Sequence, residues 1–194
     1  NVMEKGEYRR TASELGVIIV CPDTSPRGKD IPDEIDNWQF GTGAGFYLDA
    51  VNDPYNVNYN MYTYITEELP TLLREECLIK SNSHGIFGHS MGGHGAITIA
   101  LKNPDTYKSY SALAPISQPS TASWSKLAFE KYLGKDQKLW RQYDATCLLE
   151  DGHSFPEILV DQGLDDPFLK EGLRPELLES ACETAGVNLE LRLR

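Results

Sequence analysis

The residues best able to do chemistry lie in the run Gly85-Ile86-Phe87-Gly88-His89-Ser90-Met91-Gly92-Gly93-His94-Gly95. Gly88-x-Ser90-x-Gly92 follows an apolar stretch and precedes a helix-forming one, Ala96 to Lys102. Strand, tight turn and helix in that order are the setting in which a serine becomes a nucleophile. The strained turn lifts the hydroxyl clear of the sheet. Glycines two before and two after leave room for it, and the following helix aims its first N–H groups back at the reacting atom. The bare pattern recurs by chance in roughly one chain in fifteen of this length. Gly93, Gly95 and the flanking elements are what separate it from a glycine-rich turn with an ordinary serine.

An activated serine needs a base to take its proton and an acid to orient that base. On a nucleophile elbow the chain order is serine, acid, histidine, and the N–H of the next residue, Met91, contributes to the oxyanion hole. The acid belongs on the turn after a later strand, where Asp161, Asp165 and Asp166 stand. Asp161 is still at the strand end, so Asp165 or Asp166 is better placed. No histidine follows Asp166. His84 precedes the elbow strand, and His89 points away from the serine. His94, on the following helix, suits packing or capping. His153 precedes the acid. The base is therefore expected beyond Arg194.

The elements that must position these residues are legible in outline. Glu4 to Leu15 reads as a helix stopped by Gly16, and Val17 to Cys21 as a strand buried on both faces of a parallel sheet. Asp23 to Gly45 is a long loop, rich in glycine and proline, which is usually a sign of function. Trp38, Phe40, Phe46 and Tyr47 either pack that loop down or touch substrate. Tyr59 to Glu76 is an amphipathic helix with a kink or break near Leu69, because Pro70 cannot donate to the ladder. Tyr107 to Ile116 and Pro156 to Asp161 read as strands, Trp124 to Tyr132 and Gln137 to Tyr143 as short helices. Pro175 to Ala185 is a helix with proline at its opening and glycine at its end, and Leu189 to Leu193 starts a further strand. The alternation predicts an α/β fold with a mostly parallel sheet.

A net charge of −11 argues against nucleic acid or an anionic membrane as partner, and any anionic substrate must be held by local donors. No apolar run reaches the roughly 18 residues of a membrane span. Cys21, Cys77, Cys147 and Cys182 are scattered without metal-ligand spacing and are expected to be buried, reduced thiols of a cytoplasmic protein.

Four segments resemble the S-formylglutathione hydrolase (esterase D) family of the α/β-hydrolase superfamily. They are Pro22-Asp23-Thr24-Ser25-Pro26-Arg27-Gly28, Gly41-Thr42-Gly43-Ala44-Gly45-Phe46-Tyr47, Phe87 to Ala96, and Asp161-Gln162-Gly163. The likeness runs along nearly the whole chain. It implies a single α/β-hydrolase domain over residues 1–194, with a sheet covered by helices on both faces and incomplete at both ends. Ser90 is then the nucleophile and Asp166 the triad acid. The implied reaction is hydrolysis of S-formylglutathione to formate and glutathione, a step in formaldehyde detoxification, with no metal or organic cofactor. The implied partner is the glutathione thioester, and family analogy suggests a homodimer. A broad carboxylesterase on the same fold, or a truncated non-catalytic form, is the alternative. Three departures accompany the resemblance. The family's histidine segment would begin just past Arg194, and its Ser-Gly-Leu-Thr-Cys segment would precede Asn1. Ser123-Trp124-Ser125 replaces the usual Pro-Trp-Gly, so the cap over the site is expected to differ slightly.

Overall fold

The computed structural model describes residues 5–33, 37–80 and 83–194. Its centre is a four-stranded parallel sheet in the order β1 (His84–His89), β2 (Tyr107–Leu113), β3 (Glu157–Gln162) and β4 (Asn188–Leu193). The helices in chain order are α1 (Arg9–Leu15), α2 (Met61–Thr63), α3 (Leu69–Glu76), α4 (Met91–Lys102), α5 (Ser125–Leu133), α6 (Gln137–Arg141), α7 (Ala145–Glu150) and α8 (Pro175–Ala185).

Local chemistry sets the boundaries. Gly186 ends α8 in the left-handed conformation, φ 68°, and Pro175 opens that helix where a missing N–H costs nothing. Asp144 caps α7 by accepting from the Thr146 and Cys147 N–H groups. The predicted break near Pro70 takes the form of a π-helical stretch, Tyr64–Glu68, joining α2 to α3. Widening the turn is one way to absorb the hydrogen bond that proline cannot make.

Two apolar clusters hold the fold. One lies between the sheet and helices α4, α7 and α8, and includes Ile97, Leu101, Tyr110, Leu148, Ile158, Val160 and Leu178. The other joins the glycine-rich loop to α5 and α6 through Phe46, Tyr55, Tyr59, Phe129, Tyr132 and Trp140. There the buried Tyr132 hydroxyl accepts from Gly41 N–H (2.7 Å) and donates to the Ala44 carbonyl (2.8 Å). The loop is thus fastened at two points to one helix.

The structure corrects four expectations. Val17 to Cys21 forms no strand, and Val17, Ile18 and Val20 are exposed. A β-branched run expresses its preference only against a partner strand, and no described strand pairs with this one. Second, among the described residues helices cover one face of the sheet. Burial alternates along the strands, and Phe87 and Leu113 on the opposite face are 44% and 43% exposed. Third, Cys21 is exposed and Cys77 half-buried, although all four thiols are free. Fourth, α7 occupies a stretch with no predicted element. Glu4 lies outside the described residues. No helix among them is long and apolar enough to cross a membrane.

Candidate active site

Ser90 sits between β1 and α4 at φ 56°, ψ −116°. Such a conformation is costly for a residue with a Cβ and persists only when its surroundings fix it. Ser90 N–H donates to the Leu113 carbonyl (2.9 Å), and its own carbonyl accepts from His94 N–H (3.0 Å) and Ile116 N–H (3.3 Å). The elbow is tied both to β2 and to the segment after it. Because His94 is the donor to the Ser90 carbonyl, the N–H groups of Met91, Gly92 and Gly93 lie ahead of the helical ladder.

The glycines do unequal work. A Cβ on Gly88 would stand 2.1 Å from the Gly92 carbonyl oxygen, and one on Gly95 would stand 2.4 Å from the Tyr47 ring. Neither position admits a side chain without moving backbone or a packed ring. A Cβ on Gly92 would meet nothing nearer than 3.8 Å, so the second glycine of the pattern is not required by space. Tyr47, wedged against α4, has its phenol pushed up to about 12 by burial.

Ser90 and Met91 form part of a cleft of about 200 Å³ whose other walls include Trp38, Gly43, Phe46, Trp124 and Phe168. The rings of Trp38, Trp124 and Phe168 form a mutual cluster, with centroids 5.5 to 6.4 Å apart. The loop aromatics are placed differently. Phe40 is buried as packing, while Trp38, 63% exposed, stands at the cleft rim and Phe46 belongs to both. Phe168 was missed at the sequence level. Its signal was position, two residues past Asp166 on the same turn. Gly172 was missed too, and a Cβ there would strike the Trp124 indole at 2.3 Å.

Asp166 is half-buried on the turn after β3, its Oδ1 accepting from Phe168 N–H at 2.8 Å. Asp165 is exposed. Asp161 is committed elsewhere, to the Arg194 guanidinium at 2.7 and 2.9 Å. Of the three carboxylates, Asp166 is thus both unpaired with a cation among the described residues and tied to a cleft-lining residue.

No histidine of this chain is positioned as base. His84 is at the far end of β1, about 20 Å from Ser90 at strand rise. His89 is exposed and precedes the turn. His153 bonds the Leu101 carbonyl at 3.2 Å, which lies about 16 Å along α4 from Ser90. His94 is fully buried beside Phe129. Burial lowers its pKa from 6.5 to about 4, with the charge of Asp144 acting weakly the other way.

That depression makes a prediction. Between pH 6.5 and about 4 the unfolded chain protonates this imidazole and the native one does not. Its contribution to stability is therefore complete above pH 6.5 and is lost progressively down to pH 4. The loss is about 3 kcal/mol. Denaturant unfolding of the full-length protein at pH 7, 5.5 and 4 should show it, and His94→Gln should flatten that part of the profile. An unchanged profile in the variant would place the acid sensitivity elsewhere.

A larger groove of about 520 Å³, lined by Pro32, Asp53, Tyr55, Glu130 and Lys131 among others, carries no serine or histidine. No group of three or more potential metal ligands occurs among the described residues.

Comparison with known proteins agrees with this geometry. The family model named Esterase matches residues 1–193. The mouse S-formylglutathione hydrolase is 50% identical over 196 residues, spanning 100% of this chain and 70% of its own length. The Arabidopsis thaliana S-formylglutathione hydrolase is 45% identical, with 100% and 68% covered. The solved structure of an S-formylglutathione hydrolase from Agrobacterium tumefaciens superposes with a TM-score of 0.98 at 60% identity, over 100% of this chain and 70% of that one. The strand–elbow–helix geometry around Ser90 is thus found in a chain that belongs to the esterase family and, within it, to the S-formylglutathione hydrolases.

Proposed function

We propose that this chain is the nucleophile-bearing part of a cytoplasmic serine thioesterase that hydrolyses S-formylglutathione to formate and glutathione. The observation that carries the reading is the placement of Ser90, held at positive φ at the head of α4 in an aromatic cleft. The relatives' shared activity supplies the substrate. The free state of all four thiols supports a reducing compartment.

Ser90 Oγ attacks the formyl carbonyl as a histidine takes its proton. The C–O bond forms, and the Met91 N–H stabilises the resulting oxyanion. Collapse breaks the C–S bond and glutathione leaves as a thiol. Thiols have a pKa of about 8.5, so this departure needs less proton donation than that of an amine. Water then attacks the formyl-serine with the same base, releasing formate and restoring Ser90. Asp166 holds the histidine in the required tautomer. The steps use side chains, backbone and water alone.

The test is a comparison of substrates with the purified full-length enzyme. kcat/KM for S-formylglutathione should exceed that for p-nitrophenyl acetate roughly tenfold or more, because the glutathione arm adds binding that the aryl ester cannot make. The reverse order would make the protein a broad carboxylesterase.

A further inference from the structure

The segment Pro22 to Gly28 has no part in the chemistry above, yet the structure ties it to the cleft wall. Ser25 Oγ accepts from Gly43 N–H at 2.8 Å, and Gly45 N–H donates to the Thr24 carbonyl at 3.0 Å. Gly43 lines the cleft beside Ser90. A Cβ built on Gly43 would stand 3.9 Å from Arg27 Nη2, so the guanidinium lies beside this residue of the wall. Its side chain is 52% exposed.

The guanidinium is also fixed. Asp23 accepts from its Nε at 2.8 Å and from its Nη2 at 3.0 Å. That paired contact holds the Asp23 carboxyl below its usual range and raises Arg27 in turn. Two of five N–H donors are used there; among the described hydrogen bonds the other three take no acceptor. Such a donor matters in a chain of net charge −11, because among the described residues no cationic side chain lines the cleft. Arg174, two residues past Gly172, spends its Nη2 on the Gln118 carbonyl and Thr121 Oγ1.

We propose that Arg27, braced by Asp23 beside Gly43 of the Ser90 cleft, binds a carboxylate of the glutathione moiety and so selects anionic thioesters over uncharged ones. This rests on the thioesterase reading. Glutathione has two carboxylates and one ammonium, so one fixed guanidinium in an acidic protein discriminates it from a neutral thiol carrier by charge and by bidentate geometry. Arg27 touches the leaving-group arm and not the reacting carbonyl. Its effect therefore falls on KM for the charged substrate.

The test uses the full-length enzyme with S-formylglutathione and with the S-formyl thioester of 2-mercaptoethanol, which shares the reacting bond and lacks charge. Arg27→Gln should raise KM for S-formylglutathione about tenfold, the loss of a charge-assisted hydrogen bond, with kcat within about twofold. Its kcat/KM for the uncharged thioester should not change. Arg27→Lys, which keeps the charge and the Asp23 pair but not the fork, should recover part of the loss, and the wild-type KM should rise with added salt. Equal losses on both thioesters in both variants would overturn the proposal and leave Arg27 as a prop for the Gly43 loop. A wild-type enzyme that turned over both thioesters with equal kcat/KM would overturn the charge selection at its root, whereas loss of activity on thioesters altogether would reject the thioesterase reading itself.

Discussion

Replacing Ser90 with alanine in the full-length enzyme lowers kcat by about 10⁴-fold or more, while the thermal midpoint stays within a few degrees. The two halves of this expectation have separate causes. In the proposed mechanism the hydroxyl is the attacking atom, and without it the base and the oxyanion donors have nothing to serve, so the expected remaining rate is what binding and the Met91 N–H would supply. The fold depends on the backbone of residue 90, through its bonds to Leu113, His94 and Ile116, and alanine preserves these. Both residues carry a Cβ and suffer the same strain at φ 56°. A fluorophosphonate probe should label Ser90 alone. Labelling that survives in Ser90→Ala would remove the serine from its assigned role.

Neutralising Asp166 should be nearly as damaging. Asp166→Asn is expected to cost on the order of 10⁴-fold in kcat with little change in stability. One oxygen of Asp166 accepts from Phe168 N–H, a bond an asparagine carbonyl can keep, so the turn survives. The other position becomes an amide donor facing the ring nitrogen it should accept from, and the histidine is held in the wrong tautomer. Asp165→Asn, on an exposed side chain, should change kcat by no more than a few-fold. Asp161→Asn loses a partly exposed ion pair with Arg194 and should cost about 1 kcal/mol or less of stability. Equal kinetic losses at Asp165 and Asp166 would move the acid role off Asp166.

The elbow was readable because its constraints are local. Gly88 must lack a Cβ for its strand to meet the first turn of α4, and a close approach of that kind is written directly into sequence. The ends of α8 were readable for the same reason, since Pro175 and Gly186 act within one turn of themselves. What depended on distant partners was not. Val17 to Cys21 has the composition of a strand, but composition does not supply the neighbour that makes a ladder. Trp38, Trp124 and Phe168 come from three separate loops and become one wall only after the chain has folded. Two carboxylates side by side, Asp165 and Asp166, look alike as letters. A single backbone N–H and a difference in burial distinguish them.

The helix that follows Ser90 is buried without interruption from Gly93 to Leu101. Amides in such a helix exchange with solvent only through openings that approach global unfolding, whereas loops with exposed backbone exchange through small local ones. The helix body on which Ser90 is mounted is therefore expected to open only with the fold itself. Trp38 and Phe168 lie on exposed turns at the other side of the same cleft. Small local openings are available to those turns and not to the buried helix, so adjustment to a substrate is expected on the aromatic side of the cleft.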